Sequence, residues 1–266
     1  MREDLASCGR RISRMGFPWG LVSNGRLMTP ARIDELIKAG MRTATISLDG
    51  LEDDHNWMRG IPDAFEHARE AIRILAGKRI AFDVVTCVNR RNLPTLNNIK
   101  ELLISLGVKS WRIFTIFPVG RAATDPELQL DNSQYRELMD YIVSCRKEKR
   151  IHTSYGCEGF LGGYEGKVRD HLFSCQAGLT IGSVRIDGAI SGCTSIRSRF
   201  DQGNIYTDDF VEVWEKRFAP FRDHSQFRTQ ECADCKWWKW CLGNGMHLRD
   251  EQGRLILCNL KRLESE

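Results

Sequence analysis

Thr43-Ala44-Thr45-Ile46-Ser47-Leu48-Asp49-Gly50 is the stretch on which the fold turns. Its β-branched and apolar residues read as a strand, and Asp-Gly closes it with a turn. A helix precedes it: Thr29 is a hydroxyl N-cap, Pro30 fills the first helical position with a preset φ, and Gly40 stops the run. A second helix follows at about 63–76, where Phe65, Ala68, Ala71, Ile72 and Leu75 recur at helical spacing.

The same alternation extends both ways. Residues 3–15 form an amphipathic helix, and Trp19-Gly20-Leu21-Val22-Ser23 is a short strand ended by Asn24-Gly25. Downstream come a strand at 80–88, a helix at 94–106, a strand at 111–117 and a longer helix at 133–148. Strands separated by helices of this length imply βαβ units and a parallel sheet, so the fold class is α/β. The strand runs are apolar rather than strictly alternating, which predicts strands covered on both faces.

After residue 150 the texture changes. Glycines accumulate, long helices vanish, and seven of the ten cysteines follow this point. Two domains are expected, at 1–150 and 151–266. Residues 183–191 read as a hairpin with a type I′ turn at Asp187-Gly188.

The formal net charge of +4 is small for 266 residues, and the basic residues are scattered, so nothing points to nucleic acid. No run approaches the ~18 apolar residues of a membrane span. No signal-peptide core follows the N-terminus either, so a cytoplasmic location is expected. Thiols stay reduced there, so ten cysteines point to metal rather than disulfides.

Cys232-x2-Cys235-x5-Cys241, with Cys258, places four thiolates within 27 residues. Four such ligands suit tetrahedral zinc or a [4Fe–4S] cube, and spacing alone does not separate the two. Upstream, Cys175 is followed by twelve residues, Gly188, four residues and Cys193. This pattern resembles the SPASM domain of radical S-adenosylmethionine (radical SAM) enzymes. The resemblance implies one auxiliary [4Fe–4S] cluster on Cys232, Cys235, Cys241 and Cys258, and a second held in part by Cys175 and Cys193, with Cys157 as a third ligand. That family has a cysteine four residues after Cys241; Gly245 stands there instead. His247 is a candidate substitute.

The N-terminal half resembles the radical SAM partial barrel. Val22-Ser23-Asn24-Gly25 looks like a strand ending in T-N-G, and Ile46-Ser47-Leu48-Asp49-Gly50 looks like one ending in S-x-D-G. The resemblance implies that Asn24, Ser47 and Asp49 lie at the cofactor site, with Ser47 and Asp49 near the ribose, and that Arg59 pairs with the cofactor carboxylate. It also implies S-adenosylmethionine as cofactor, a peptide or protein substrate, and a flavodoxin or ferredoxin as electron donor. In such enzymes a reduced cluster cleaves the cofactor to methionine and a 5′-deoxyadenosyl radical, which abstracts hydrogen from the substrate.

The C-x3-C-x2-C that holds the catalytic cluster in that family does not occur in these residues. The resemblance therefore implies a barrel lacking its first two strands, with about 60–100 residues preceding it in the complete enzyme. It also implies an exposed edge at 19–23 and a chain prone to aggregate alone. The alternative is a non-catalytic iron–sulfur or zinc protein that presents a peptide-binding surface.

Overall fold

A computed structural model describes residues 3–196 and 200–265. The chain divides into two compact units, the first formed by residues 1–156 and 167–169, the second by 157–166 and 170–266.

The first unit is a ladder of βα steps: α1 (Leu5–Arg14), β1 (Trp19–Ser23), α2 (Pro30–Lys38), β2 (Met41–Ser47), α3 (Glu52–Arg59), α4 (Ala64–Ala76), β3 (Ala81–Val88), α5 (Leu96–Ser105), β4 (Ser110–Thr115), α6 (Asn132–Glu148) and β5 (His152–Tyr155). All five strands are parallel and lie in sequence order, so β1 is an edge, and Val22 on it is 71% exposed. Because the strands run the same way, Ser23, Ser47, Val88 and Thr115 end along one border of the sheet. That border is where α/β folds assemble their sites.

Local chemistry explains the boundaries. The Thr29 hydroxyl accepts the Arg32 amide at the start of α2. Asp131 and Gln134 form a reciprocal capping box on α6, at 2.9 and 3.0 Å. Gly25 adopts φ +84°, and a Cβ there would stand 2.7 Å from the Ala68 Cα, so only glycine lets the loop after β1 lie against α4.

The strands differ from the expectation of cover on both faces. Burial alternates along β3 and β4. Ala44, Ile46, Val84, Val88, Trp111 and Ile113 are buried on one face, and the other face carries Thr43, Asp83 and Arg112, none of which is fully buried. The apolar character of these segments comes from the helix-covered face, while the second face is polar and half open. The core centres on Trp111, which is 0% exposed. Its indole N–H donates to the Thr86 hydroxyl at 2.8 Å, and that hydroxyl donates to the Leu48 carbonyl at 2.6 Å.

The second unit has little regular structure. A three-stranded antiparallel sheet joins β6 (Ser183–Val184), β7 (Ala189–Ser191) and β8 (Gly203–Asn204). Four short helices follow: α7 (Phe210–Lys216), α8 (Ala219–Arg222), α9 (Trp238–Cys241) and α10 (Asn259–Glu264). The hairpin is present, but its turn is not type I′. Gly188 N–H bonds the Arg185 carbonyl and Gly188 alone takes positive φ, at +82°. Ile186 and Asp187 therefore occupy the central turn positions, and Gly188 supplies the left-handed residue that returns the chain to the sheet. A type I′ turn would have required positive φ at Asp187 as well.

Trp111→Ala should destabilise the chain by about 3–5 kcal/mol, the range for deleting a buried large aromatic. Urea unfolding followed by circular dichroism measures it, and a loss below ~1 kcal/mol would contradict this placement of the core.

Candidate metal centres and cofactor site

Strands β1, β2 and β3 deliver residues to the same sheet border. Asn24, just after β1, is exposed, and its Oδ1 accepts the Arg26 amide at 3.2 Å to hold the turn. Ser47 is half-buried at the end of β2. Asp49 is fully buried rather than lining the surface. Its Oδ1 accepts the Cys87 amide at 2.9 Å, and its Oδ2 lies 2.5 Å from Arg59 Nη2. Asn92 Nδ2 donates to the Asp49 carbonyl at 2.5 Å and to the Cys87 carbonyl at 3.0 Å, tying the ends of β2 and β3 together. Asp49 thus stands behind Arg59 as its anchor, and a ribose would have no access to the carboxylate.

Arg59 is the residue this border presents. Its side chain is 30% exposed, and its buried Nε has no hydrogen-bond partner among the described residues. A guanidinium fixed on one side by a carboxylate, with a donor left over, suits a ligand carboxylate. S-adenosylmethionine carries one, so the residues present fit that cofactor.

His55 completes the cluster and gives no sign of itself in the sequence. Its Nδ1 accepts the Asp49 amide at 2.9 Å, so the proton of the neutral ring sits on Nε2. Burial pulls its pKa down to about 4, against the opposing pull of Asp49 and with a smaller push from Arg59. A polar network on the open face was equally hidden. Thr45 donates to Asp83 Oδ1 at 2.6 Å, Arg112 Nε donates to Asp83 Oδ2, and Arg112 Nη2 donates to the Thr45 hydroxyl at 3.1 Å. The strand register, which spacing does not encode, sets Thr45 opposite Asp83. Beyond β3 and β4, a cavity of about 540 Å3 is lined by Trp57, Met58, Cys87, Phe117, Arg121 and Asp125, among others.

In the second unit, Cys232, Cys235, Cys241 and Cys258 all open onto one cavity of about 420 Å3. The 3-10 turn Gln230–Cys232 carries Cys232 and helix α9 carries Cys241, Cys235 lies on the loop between them, and Cys258 caps α10. Trp237 and Trp238 also line it. Trp237 packs on Phe160 with ring centroids 5.7 Å apart, whereas Trp240 is 49% exposed.

Burial pushes the Cys241 thiol up to about 12, with Cys258 and Cys232 adding to the effect, while the amides of Asn244 and Gly243 donate to its sulfur and oppose it. The amides of Lys261 and Leu260 do the same for Cys258, whose pKa burial also raises. Thiols this reluctant to ionise alone, yet surrounded by donors aimed at sulfur, are suited to a bound cation that displaces the proton. Arg249 adds fixed positive charge. It is 7% exposed, bonds the carbonyls of Gly243 and Gly253, stacks 4.2 Å from the Phe227 centroid, and interacts with Cys232 and Cys241.

Cys175 and Cys193 pack against one apolar cluster, while Cys157 is exposed. Burial raises the pKa of Cys175, with Cys193 adding to the effect. The Met246 and Ala177 amides donate to the Cys175 sulfur. His247 is pulled down to about 4 by burial, so its ring is neutral.

Among the described residues, no three His, Cys, Asp or Glu side chains close on one ion-sized point. Four thiols can hold a tetrahedral ion or, with each sulfur on a different iron, a cluster. Four thiols around one cavity fit either.

A family model for an iron–sulfur cluster-binding domain, SPASM, matches residues 175–236. An AdoMet-dependent heme synthase of Oleidesulfovibrio alaskensis is 28% identical over 280 residues, covering 94% of this chain and 71% of that protein. A PqqA peptide cyclase of Ruegeria pomeroyi is 24% identical over 195 residues, covering 72% and 51%. The solved structure of anSMEcpe with bound AdoMet and Kp18Cys peptide superposes with a TM-score of 0.70 at 18% identity, covering 98% of this chain and 76% of that one. No helix among the described residues is long and apolar enough to cross a membrane.

The depressed His55 pKa makes stability pH-dependent. The folded state binds fewer protons than the unfolded state between pH 6.5 and about 4, so stability falls as pH drops through that window and levels off below it. His55→Gln should flatten the urea midpoint against pH by an amount of order 3 kcal/mol across the window. An unchanged slope would show that His55 titrates normally in the folded chain.

Proposed function

The chain is a radical SAM protein of the SPASM type, and from that premise we propose that it binds auxiliary [4Fe–4S] clusters and the carboxylate end of S-adenosylmethionine within a radical enzyme. The observation that carries this reading is the placement of Cys232, Cys235, Cys241 and Cys258 around one cavity. When bound, such a cluster would supply one-electron chemistry.

The chain's own residues set the conditions for it. Tryptophans 237 and 238 restrict water, backbone amides donate to the sulfurs, and buried Arg249 offsets thiolate charge. In the first unit, Asp49 holds Arg59 so that its guanidinium meets the cofactor carboxylate without first losing rotamer freedom. Asp49 serves here as a positioning residue. The C-x3-C-x2-C triad is not in these residues, so reductive cleavage of the cofactor is proposed for the assembly that holds it.

For the substrate we favour a peptide or protein side chain, as the peptide cyclase relative suggests. The second reading is a tetrapyrrole, which the heme synthase similarity over 94% of the chain favours. The cavity beyond β3 and β4 suits either, because its Trp57, Met58 and Phe117 walls accept a flat apolar body and Arg121 offers a partner for a carboxylate. Titration with a carboxylated porphyrin separates them: a shifted Soret band that Arg121→Ala weakens would favour the tetrapyrrole.

Anaerobically reconstituted chain should carry iron and sulfide in equal amounts, and Cys241→Ala should lose about four irons per chain. Stoichiometric zinc without sulfide would overturn the cluster reading in favour of a structural metal knuckle. Arg59→Ala should weaken S-adenosylmethionine binding by roughly 10–100-fold, as expected for one charged hydrogen-bonded contact. Calorimetry measures it, and unchanged affinity would remove Arg59 from the site.

A further inference from the structure

The second unit carries a further groove of about 470 Å3 whose walls leave large apolar side chains in solvent. Leu172, Leu179, Trp240 and Leu242 line it, each 45–49% exposed. Exposed apolar residues scattered singly are ordinary, but four around one concavity mark a contact surface. The charge of the groove has one sign. Arg222 and Lys239 line it, and among the described residues no carboxylate does. Arg222 gives its N–H groups to the carbonyls of Gly178, Trp214 and Glu215 rather than to an acid. Lys239 lies 5.3 Å from the Trp240 ring centroid and has no carboxylate partner among the described residues. The four-thiol cavity differs, since Glu231, Asp234 and Glu264 balance Lys236 and Lys261 there.

Leu242 gives an independent sign of use. It caps α9 in the left-handed conformation, at φ +50° and ψ +35°. Glycine takes that conformation freely, and a branched side chain takes it at a cost. The turn that follows sets the Gly243 and Asn244 amides on the Cys241 sulfur, which calls for a left-handed residue but not for leucine. The His224 ring lies 2.9 Å from both the Leu242 and the Phe221 carbonyl and fixes the turn in place. A strained leucine left half in solvent adds little to the core. Its side chain is accounted for by what fills the groove.

We propose that this groove binds an acidic peptide segment, whose apolar side chains rest on Leu172, Leu179, Trp240 and Leu242 and whose carboxylates face Lys239 and Arg222. Desolvation of the apolar walls supplies affinity, while the two cations orient the segment and speed its approach. An anionic segment is favoured because it covers charges that no carboxylate of the groove neutralises. Cys175 and Cys241 line the same groove, so the bound segment lies against the cysteine-bearing loops. The inference needs neither a bound cluster nor the cofactor.

The test uses the full chain, anaerobically reconstituted, with a short fluorescein-labelled peptide that alternates glutamate and leucine. Fluorescence anisotropy should report binding that weakens as salt rises. Lys239→Glu should lower the affinity about tenfold, because it sets an anion against an anion. Leu242→Gly should also lower it about tenfold. The urea midpoint of that variant should stay at or above the parent's, since glycine relieves the left-handed turn. Peptides with lysine for glutamate, or serine for leucine, should not bind. No binding by the parent chain, equal affinity for the lysine peptide, or an affinity that both variants leave unchanged overturns the proposal. Self-association in sedimentation that Leu242→Gly abolishes also overturns it, by making a second copy of the chain the occupant.

Discussion

The convergence of Cys232, Cys235, Cys241 and Cys258 on one cavity is the constraint on which the second unit depends. That unit has strands of two or three residues and helices of four to seven, too little regular structure to hold a loop-rich chain by backbone pairing alone. Its apolar support comes from two modest clusters, one around Phe218, Phe221 and Ile190, the other around Phe160, Phe173 and Leu260. Cysteines pack against both. A bound cluster would therefore act as a cross-link between them, and metal binding and folding would share one free energy.

The first unit solves a different problem. Its parallel ladder needs no metal, since the Trp111 face buries a continuous apolar layer under the helices. The cost appears at the sheet border, where Asp49, His55 and Arg59 are buried or half-buried polar groups. They persist because each is held by another: the Cys87 amide and Arg59 hold Asp49, and the Asp49 amide holds His55. Such a buried set rigidifies the point at which Arg59 faces a ligand.

Much of this was legible in the sequence, for local reasons. Helix α2 declared its ends through Thr29, Pro30 and Gly40, and the strands declared themselves through β-branched runs. The short helix α3 did not, because its Glu52–Arg59 run is polar and has no apolar period to detect. The hairpin turn was misread because Asp-Gly fits both a type I′ turn and a type I turn with a following left-handed glycine. Only the Gly188-to-Arg185 hydrogen bond separates these.

Cysteine number and spacing by themselves pointed to thiolate ligation in the C-terminal third, because a C-x2-C step lets two sulfurs converge on one metal centre. The strand-end motifs likewise determined which residues reach the sheet border. Tertiary structure alone decided what those residues face. Asp49 and Arg59 are ten positions apart and Asp83 and Arg112 twenty-nine, so their pairing follows from register and helix placement that spacing does not encode. The same holds at Gly245. Its missing side chain reads as a loss in one dimension, and in three the ring of His247 occupies its place.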